Sequence, residues 1–312
     1  MNYLFREISF PSVDGKNTIH AEVYEPKDGN IRGVVQIAHG MIDYVGRYEG
    51  LADFLTARGF VVAGNDHLGH GSSVKDPSDF GYFADKDGYK LVVDDLYRMN
   101  KILGEDYQGK PIFLLGHSMG SFLARLYAVK YPETLEGIII HGTGGKNPLL
   151  TLGKAVISTL KLFFGARHRS KLVTILAFGS YNSKFPKEEG INAWLTRDLS
   201  RVNGRTSDER TNYIFTLAGY KDLFSMLGEC NSECWYSSYP ICLPTLVMSG
   251  DADPVGNYGK GAREVYDGLS AAGVMNLGLK LYPDARHELF NEYNRDEVFS
   301  DILAWLDSII KK

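Results

Sequence analysis

Residues 111–132 read PIFLLGHSMGSFLARLYAVKYP, and this stretch decides the fold. An apolar run typical of a buried strand ends at Ser118, inside the pentapeptide G-H-S-M-G. Apolar residues at helical spacing follow it until Pro132 ends the pattern. The stretch therefore predicts a strand over 111–118 and a helix over 119–132, with Ser118 at their junction. Because G-x-S-x-G also arises by chance, its meaning depends on the sequence around it.

Strand and helix patterns alternate on both sides of this junction. Strand patterns cover 34–40, 60–66, 135–142, 243–254 and 277–287, and helical patterns cover 48–59, 89–105, 257–272 and 295–312. Two further strands, 3–10 and 17–26, flank an Asp-Gly turn and predict an antiparallel hairpin. Alternation of this kind predicts crossover connections and a mostly parallel central sheet flanked by helices, an α/β fold.

The alternation stops between about 145 and 239, where the sequence is helical and irregular and contains no obvious buried strand. The segment that follows supplies strands but is too short to build a sheet of its own. We therefore predict one core, formed by residues 1–143 and 240–312, interrupted by a helical cap at 144–239.

Composition excludes several classes of protein. A chain of 312 residues with a net charge of −4 and no basic stripe has no electrostatic footprint for nucleic acid. The N-terminus lacks the pattern of a secretory signal, and no run of apolar residues is long enough for a transmembrane helix. The 3 cysteines predict free thiols packed as small apolar groups, a reducing compartment and hence a cytoplasmic protein. They lack the partners for a zinc site, and no metal is expected.

Ser118 has the surroundings that a nucleophile requires. Gly116 and Gly120 would permit a sharp turn, in which a side chain would clash with neighbouring backbone. Such a turn places the serine Oγ above the carboxyl edge of the sheet and at the start of a helix. A serine hydroxyl also needs a base and an acid that holds the base, in the chain order Ser, acid, His.

Three histidines follow Ser118: His141 ends a strand, His168 lies in a charged part of the insertion, and His287 follows the last strand in a loop. We predict that His287 is the base. The preceding strand offers two acids, and we favour Asp253 because Pro254 makes its loop rigid. Asp251 is then interpreted as a local turn residue, and Asp284 is interpreted in the same way.

An acyl-transfer site also needs hydrogen-bond donors for the oxyanion. We expect the backbone N–H of Met119, the residue after the nucleophile, to be one donor. The second is the backbone N–H of Met41, in the loop after the strand at 34–40, where Gly40 allows close approach.

The motifs resemble those of one known family. The pattern HG-x-x-(E/D)-(H/Y)-x-x-RY is matched by His39, Gly40, Asp43, Tyr44, Arg47 and Tyr48, and D-x-x-G-H-G-x-S by Asp66, Gly69, His70, Gly71 and Ser73. With G-H-S-M-G, they resemble the monoacylglycerol lipase and lysophospholipase branch of the α/β-hydrolase family. This resemblance implies an α/β-hydrolase fold with a helical cap, the triad Ser118, Asp253 and His287, and no cofactor. It also implies that His67 and His70 brace the loop beside the site.

The resemblance is weakest in the cap, where Val156, Leu160, Phe163 and Phe164 recur at helical spacing. We favour ordinary core packing for this stripe over an acyl-chain wall or a surface for transient membrane contact. The leading hypothesis is a serine carboxylic-ester hydrolase for a small-molecule ester or lipid, such as a monoacylglycerol or lysophospholipid. A short-chain or feruloyl-type esterase, a peptidase and a catalytically silent binding protein are the alternatives. The sequence predicts no oligomeric state.

Overall fold

The computed structural model describes residues 3–311, apart from the side chain of Asn203. Met1, Asn2 and Lys312, which belong to the predicted core and closing helix, lie outside the described residues. The described residues contain an eight-stranded sheet. Its strands are β1 (Tyr3–Pro11), β2 (Thr18–Pro26), β3 (Gly33–Ala38), β4 (Phe60–Asn65), β5 (Ile112–His117), β6 (Gly137–His141), β7 (Thr245–Gly250) and β8 (Leu277–Tyr282).

The strand order is β1-β2-β4-β3-β5-β6-β7-β8. β1 and β2 form the predicted antiparallel hairpin, β2 also pairs antiparallel with β4, and every later pairing is parallel. All residues of β3, β4, β5, β6 and β7 are buried, as expected for strands covered on both faces. The predicted α/β fold with a mostly parallel central sheet is confirmed.

Helices cover both faces of the sheet. The helices outside the insertion are α1 (Glu49–Thr56), α2 (Gly88–Asp106), α3 (Met119–Lys130), α8 (Lys260–Ala271) and α9 (Arg295–Ile310). The apolar faces of α1 and α9 pack in one core cluster, and those of α2, α3 and α8 pack in the other. Each face of the sheet thus has its own hydrophobic core.

The inserted segment is helical, as predicted, and lies between β6 and β7. Its helices are α4 (Leu150–Phe164), α5 (Lys171–Phe178), α6 (Leu217–Cys230) and α7 (Glu233–Ser238). Buried residues of α6, including Tyr220 and Met226, belong to the same core cluster as α2 and α3. The Trp235 indole on α7 also donates a 2.9 Å hydrogen bond to the Arg125 carbonyl on α3. The division into a core and a separate cap at 144–239 stays a prediction.

The stripe on α4 differs from the favoured expectation. Leu160 is half-buried and packs against the core, but Phe163 is 75% exposed and Phe164 is 60% exposed. Phe164 stacks on the exposed His168 at the end of the helix, with ring centroids 5.0 Å apart, instead of on the core. The expectation that the stripe packs in the core is therefore wrong for Phe163 and Phe164.

The three cysteines are free, as predicted, but only one is packed. Cys230 is buried at the end of α6, whereas Cys234 and Cys242 are exposed, so the packing expectation is wrong for these two. Cys234 lies on α7, and Cys242 lies in the turn before β7. Within residues 3–311, every helix is too short or too polar to cross a membrane.

Candidate active site

Ser118 occupies a strained turn between β5 and α3. Its backbone has φ 55° and ψ −120°, a conformation that side-chain-bearing residues rarely adopt. A Cβ built on Gly116 would lie 2.3 Å from the Gly120 carbonyl oxygen, and one built on Gly120 would lie 1.9 Å from the Ala38 oxygen. Both flanking glycines are therefore required by close backbone approach, as the sequence predicts.

His287 and Asp253 form a buried pair at the ends of β7 and β8. The imidazole Nδ1 lies 2.9 Å from Asp253 Oδ2, and the two side chains are 2% and 0% exposed. Asp253 also accepts a 2.8 Å hydrogen bond from the Val255 amide. Because a carboxylate only accepts, the His287 Nδ1 carries the proton and its Nε2 is left as the basic nitrogen.

The His287–Asp253 pair lies at the same edge of the sheet as Ser118. The Ser118 amide donates a 2.9 Å hydrogen bond to the His141 carbonyl at the end of β6. A Cβ built on the next residue, Gly142, would lie 3.2 Å from the His287 Cε1 atom. The rings of His117 and His287 are 4.8 Å apart. The serine and the histidine therefore converge at the same edge of the sheet.

The rejected alternatives lie elsewhere or have other partners. The buried His141 Nδ1 contacts the His117 Nδ1 at 3.1 Å, and burial lowers the pKa of His141 to about 3. His168 is exposed in the segment between α4 and α5. Asp251 is exposed and accepts a 2.7 Å hydrogen bond from the Asp284 amide, as a turn residue does.

The loop after β3 lies against Ser118. A Cβ built on Gly40 would lie 3.3 Å from the Ser118 Cβ, so this position also needs glycine or a shift of its neighbours. The Gly40 amide donates to Asp43 Oδ2 at 3.3 Å. This hydrogen bond closes a turn that contains Met41. Met119 is the first residue of α3. The two residues predicted to supply oxyanion donors thus flank Ser118, one in this loop and one in the helix.

Three buried histidines, two of them stacked, brace the neighbouring loop. His39 and His67 have ring centroids 3.9 Å apart, and the His67 amide donates to His39 Nε2 at 2.9 Å. The His70 Nδ1 lies 3.2 Å from the Leu68 carbonyl oxygen. Burial lowers the pKa of His39 and His67 well below the ordinary value and that of His70 to about 4, so all three rings are neutral.

A buried cluster of carboxylates and guanidinium groups lies beside the pair. Arg47 donates to Asp43 at 2.6 Å and to Glu288 at 2.8 Å, and Arg205 donates to Glu288 at 3.1 Å. Burial acts to raise the pKa of Asp43 and of Glu288, but the charges of Arg47 and Arg205 outweigh it and hold both below the ordinary value. The i,i+4 spacing of Asp43 and Arg47 could have revealed their ion pair. The sequence gives no sign of the contacts that Glu288 and Arg205 make.

Part of the insertion covers the histidine. The ring centroids of Trp194 and His287 are 5.1 Å apart, and the His287 amide donates to the Trp194 carbonyl at 3.4 Å. The next amide, of Glu288, donates to the Leu195 carbonyl at 2.6 Å. Tyr181 packs edge-on against Trp194 at 5.2 Å. Sequence reasoning missed Trp194, because the segment around it carries none of the recognised motifs.

Comparison with known proteins agrees with this architecture. The family model described as "Serine aminopeptidase, S33" matches residues 29–294. A monoacylglycerol lipase from Mycolicibacterium smegmatis is 28% identical over 311 residues, covering 97% of both chains. A human monoglyceride lipase is 28% identical, covering 91% of this chain and 85% of the human protein.

A solved structure resembles the chain along nearly its whole length. It is a thermostable carboxyl esterase from Bacillus coagulans in complex with glycerol, 31% identical, with a TM-score of 0.91. The match covers 98% of this chain and 99% of the esterase. The chain therefore belongs to the S33 serine aminopeptidase family, and it is a serine hydrolase of the α/β-hydrolase fold related to monoglyceride lipases and carboxyl esterases.

Proposed function

We propose that the protein hydrolyses carboxylic esters through an acyl-enzyme, with Ser118 as nucleophile, His287 as base and Asp253 as the acid that orients the base. One observation carries this proposal: the strained serine turn and the buried His287–Asp253 pair, 2.9 Å apart, meet at one edge of the sheet. Ester cleavage is further supported by the relatives, which are named as lipases and an esterase.

In the proposed reaction, Ser118 Oγ attacks the ester carbonyl while the His287 Nε2 takes its proton. The backbone amides of Met41 and Met119 bind the developing oxyanion, and each such donor stabilises the transition state by about 3 kcal/mol. His287 then returns the proton to the leaving alcohol. A water molecule, deprotonated by His287, then attacks the acyl-enzyme, and His287 returns that proton to Ser118 Oγ as the acid leaves.

We propose single-acyl lipids, such as monoacylglycerols or lysophospholipids, as the substrates. Two relatives, 28% identical, are named monoacylglycerol or monoglyceride lipases. A short-chain carboxylesterase is the second candidate, because the 31% identical structure is named a carboxyl esterase. An esterase that acts on feruloyl-type aromatic esters is a variant of this second candidate.

A profile of acyl-chain length separates these candidates. We expect kcat/KM to rise from C2 to at least C10 among p-nitrophenyl esters, and 1-monoacylglycerols of the same chain lengths to be cleaved in the same order. A maximum at C2 to C4, or a preference for a feruloyl ester, would contradict the lipid proposal and support the esterase. Ser118→Ala serves as the blank for uncatalysed hydrolysis.

We also propose that the insertion contacts lipid surfaces transiently. Large apolar side chains of α4, α5 and their flanks are more than half exposed. They are Leu149, Leu152, Leu162, Phe163, Phe164, Leu172, Ile175 and Leu176. A cluster of exposed apolar groups in one region marks an interaction surface, and a lipid substrate supplies a matching one.

The free thiols support a proposed location in a reducing compartment such as the cytoplasm. Cys234 and Cys242 are both exposed, and exposed thiols persist where glutathione keeps them reduced. Alkylation of freshly lysed cells should modify both residues in full. A disulfide at either position would contradict this location.

A further inference from the structure

Ile42 has an unfavourable backbone conformation next to the proposed oxyanion donor Met41. Its φ is 53°, in the left-handed region. Among the side-chain-bearing residues with positive φ in the described chain, Ile42 alone is β-branched. Branching at Cβ makes this conformation especially costly, so it persists only where neighbouring contacts hold it.

The contacts that hold Ile42 come from two directions. Within its own loop, Asp43 accepts from the Gly40 amide at 3.3 Å and from the Tyr48 hydroxyl at 3.0 Å. From the insertion, the Arg205 Nη2 donates to the Ile42 carbonyl at 2.9 Å. The direction of that carbonyl constrains ψ of Ile42 and the peptide plane that follows it, and so restrains the loop backbone. Arg205 therefore helps to hold the conformation of this loop from outside it.

Arg205 also reaches the loop of His287. Its Nη1 donates to Glu288, the residue after His287, at 3.1 Å. The side chain is only 13% exposed, and the Thr211 hydroxyl donates to the Arg205 carbonyl at 2.8 Å, which holds its backbone. A guanidinium group can make both bonds at once because its donors form a rigid fork, whereas a lysine ammonium is a single point.

We propose that Arg205 is a positioning residue for the oxyanion hole: by holding the Ile42 carbonyl and Glu288 together, it aims the Met41 amide at the reacting carbonyl. This proposal rests on the proposed function of Met41. Its consequence is that the oxyanion hole is complete only while the inserted segment around Arg205 is docked on the core. The insertion then contributes to the chemical step as well as to substrate binding.

Kinetics of Arg205 variants on p-nitrophenyl acetate test this role, because so short an acyl group makes little use of the insertion for binding. We expect Arg205→Met to lower kcat about 10- to 100-fold with KM changed less than about threefold. The kcat of Arg205→Lys should lie between that of Arg205→Met and that of the wild type. Arg201→Met is the matched control, because Arg201 pairs with Asp198 inside the insertion, and its kcat should stay within about twofold.

A transition-state analogue separates positioning from a merely structural role. A trifluoromethyl ketone forms a tetrahedral adduct that places an oxyanion in the hole. Its inhibition constant should weaken in Arg205→Met by the same factor as kcat/KM. The proposal would be overturned if Arg205→Met lost kcat while the inhibition constant stayed unchanged. It would also be overturned if the loss of kcat only matched a loss of folded protein, measured by circular dichroism.

Glycine at position 42 gives a rescue test. Glycine adopts a positive φ without strain, so the loop would need less support from Arg205. We expect Ile42→Gly combined with Arg205→Met to recover at least about threefold of the lost kcat, and no recovery would overturn the proposal. If Ser118→Ala kept its activity, the proposed function itself would fail; if that variant is inactive and Arg205→Met keeps full kcat, only the role of Arg205 fails.

Discussion

Asp251 and Asp253 leave the same strand but have opposite surroundings. Asp253 is fully buried and contacts the His287 imidazole, whereas Asp251 is exposed and closes a turn with the Asp284 amide. The sequence indicated this difference through Pro254, and the order of serine, acid and histidine could be read directly from it. The contact between Arg205 and Ile42 could not be predicted, because it joins residues 163 positions apart and the segment around Arg205 carries no recognised motif.

The two aspartates provide a matched pair of substitutions. Asp253→Asn should lower kcat on p-nitrophenyl butyrate by about four orders of magnitude, because an amide holds the imidazole in the wrong tautomer. Asp251→Asn should change kcat by less than about threefold. Equal effects of the two substitutions would remove Asp253 from its proposed role.

At the scale of elements, the sequence predicted where strands and helices lie in the chain better than it predicted which residues on them are exposed. Strands β3 to β6 were found from continuous apolar runs because burial on both sides leaves no polar alternation. Helix α4 was recognised by its spacing, but spacing alone cannot show which apolar residues meet a neighbour. Phe163 and Phe164 are consequently exposed where core packing was expected.

The exposed face of α4 leads to a prediction about vesicles. Phe163→Ser combined with Phe164→Ser should reduce sedimentation with phosphatidylcholine vesicles several-fold, because two large apolar groups no longer enter the lipid. Turnover of p-nitrophenyl acetate in solution should be unchanged. Met275→Ser is the control, since Met275 is 71% exposed but lies outside the insertion. Equal binding by all variants would argue against lipid contact through α4.

Helix α6 carries a buried carboxyl group that makes stability depend on pH. Burial raises the pKa of Asp222 to about 7, the charge of Asp87 adds to the shift, and among the described residues its Oδ2 has no hydrogen-bond partner. A raised carboxyl pKa favours the folded state at low pH, and this contribution is lost as pH rises from about 4 to 7.

Asp222→Asn should therefore stabilise the protein more at pH 8 than at pH 5. We expect a gain of about 1 to 3 kcal/mol in the free energy of unfolding at pH 8, measured by urea denaturation. Asp267→Asn, an exposed aspartate on α8, should change stability by less than about 0.5 kcal/mol at either pH. A gain for Asp222→Asn that is larger at pH 5 would contradict the raised pKa.

At the scale of the whole molecule, the sheet brings together groups that are far apart in the chain. Parallel crossovers place the ends of β3, β5, β6, β7 and β8 at one edge, so that Gly40, Ser118 and His287 meet there. This convergence could be predicted because a parallel sheet has only one carboxyl edge. The packing of the insertion across that edge could not, because its sequence carries no periodic signal for the irregular segment around Trp194 and Arg205.

The identity of the nucleophile is tested most directly by a fluorophosphonate probe followed by peptide mass spectrometry. We predict one adduct per chain, on the peptide that contains Ser118, with loss of ester hydrolysis in proportion to labelling. Ser118→Ala should neither react with the probe nor hydrolyse p-nitrophenyl butyrate above the uncatalysed rate. An adduct on another residue, or undiminished turnover by Ser118→Ala, would contradict the assignment of Ser118 as the nucleophile.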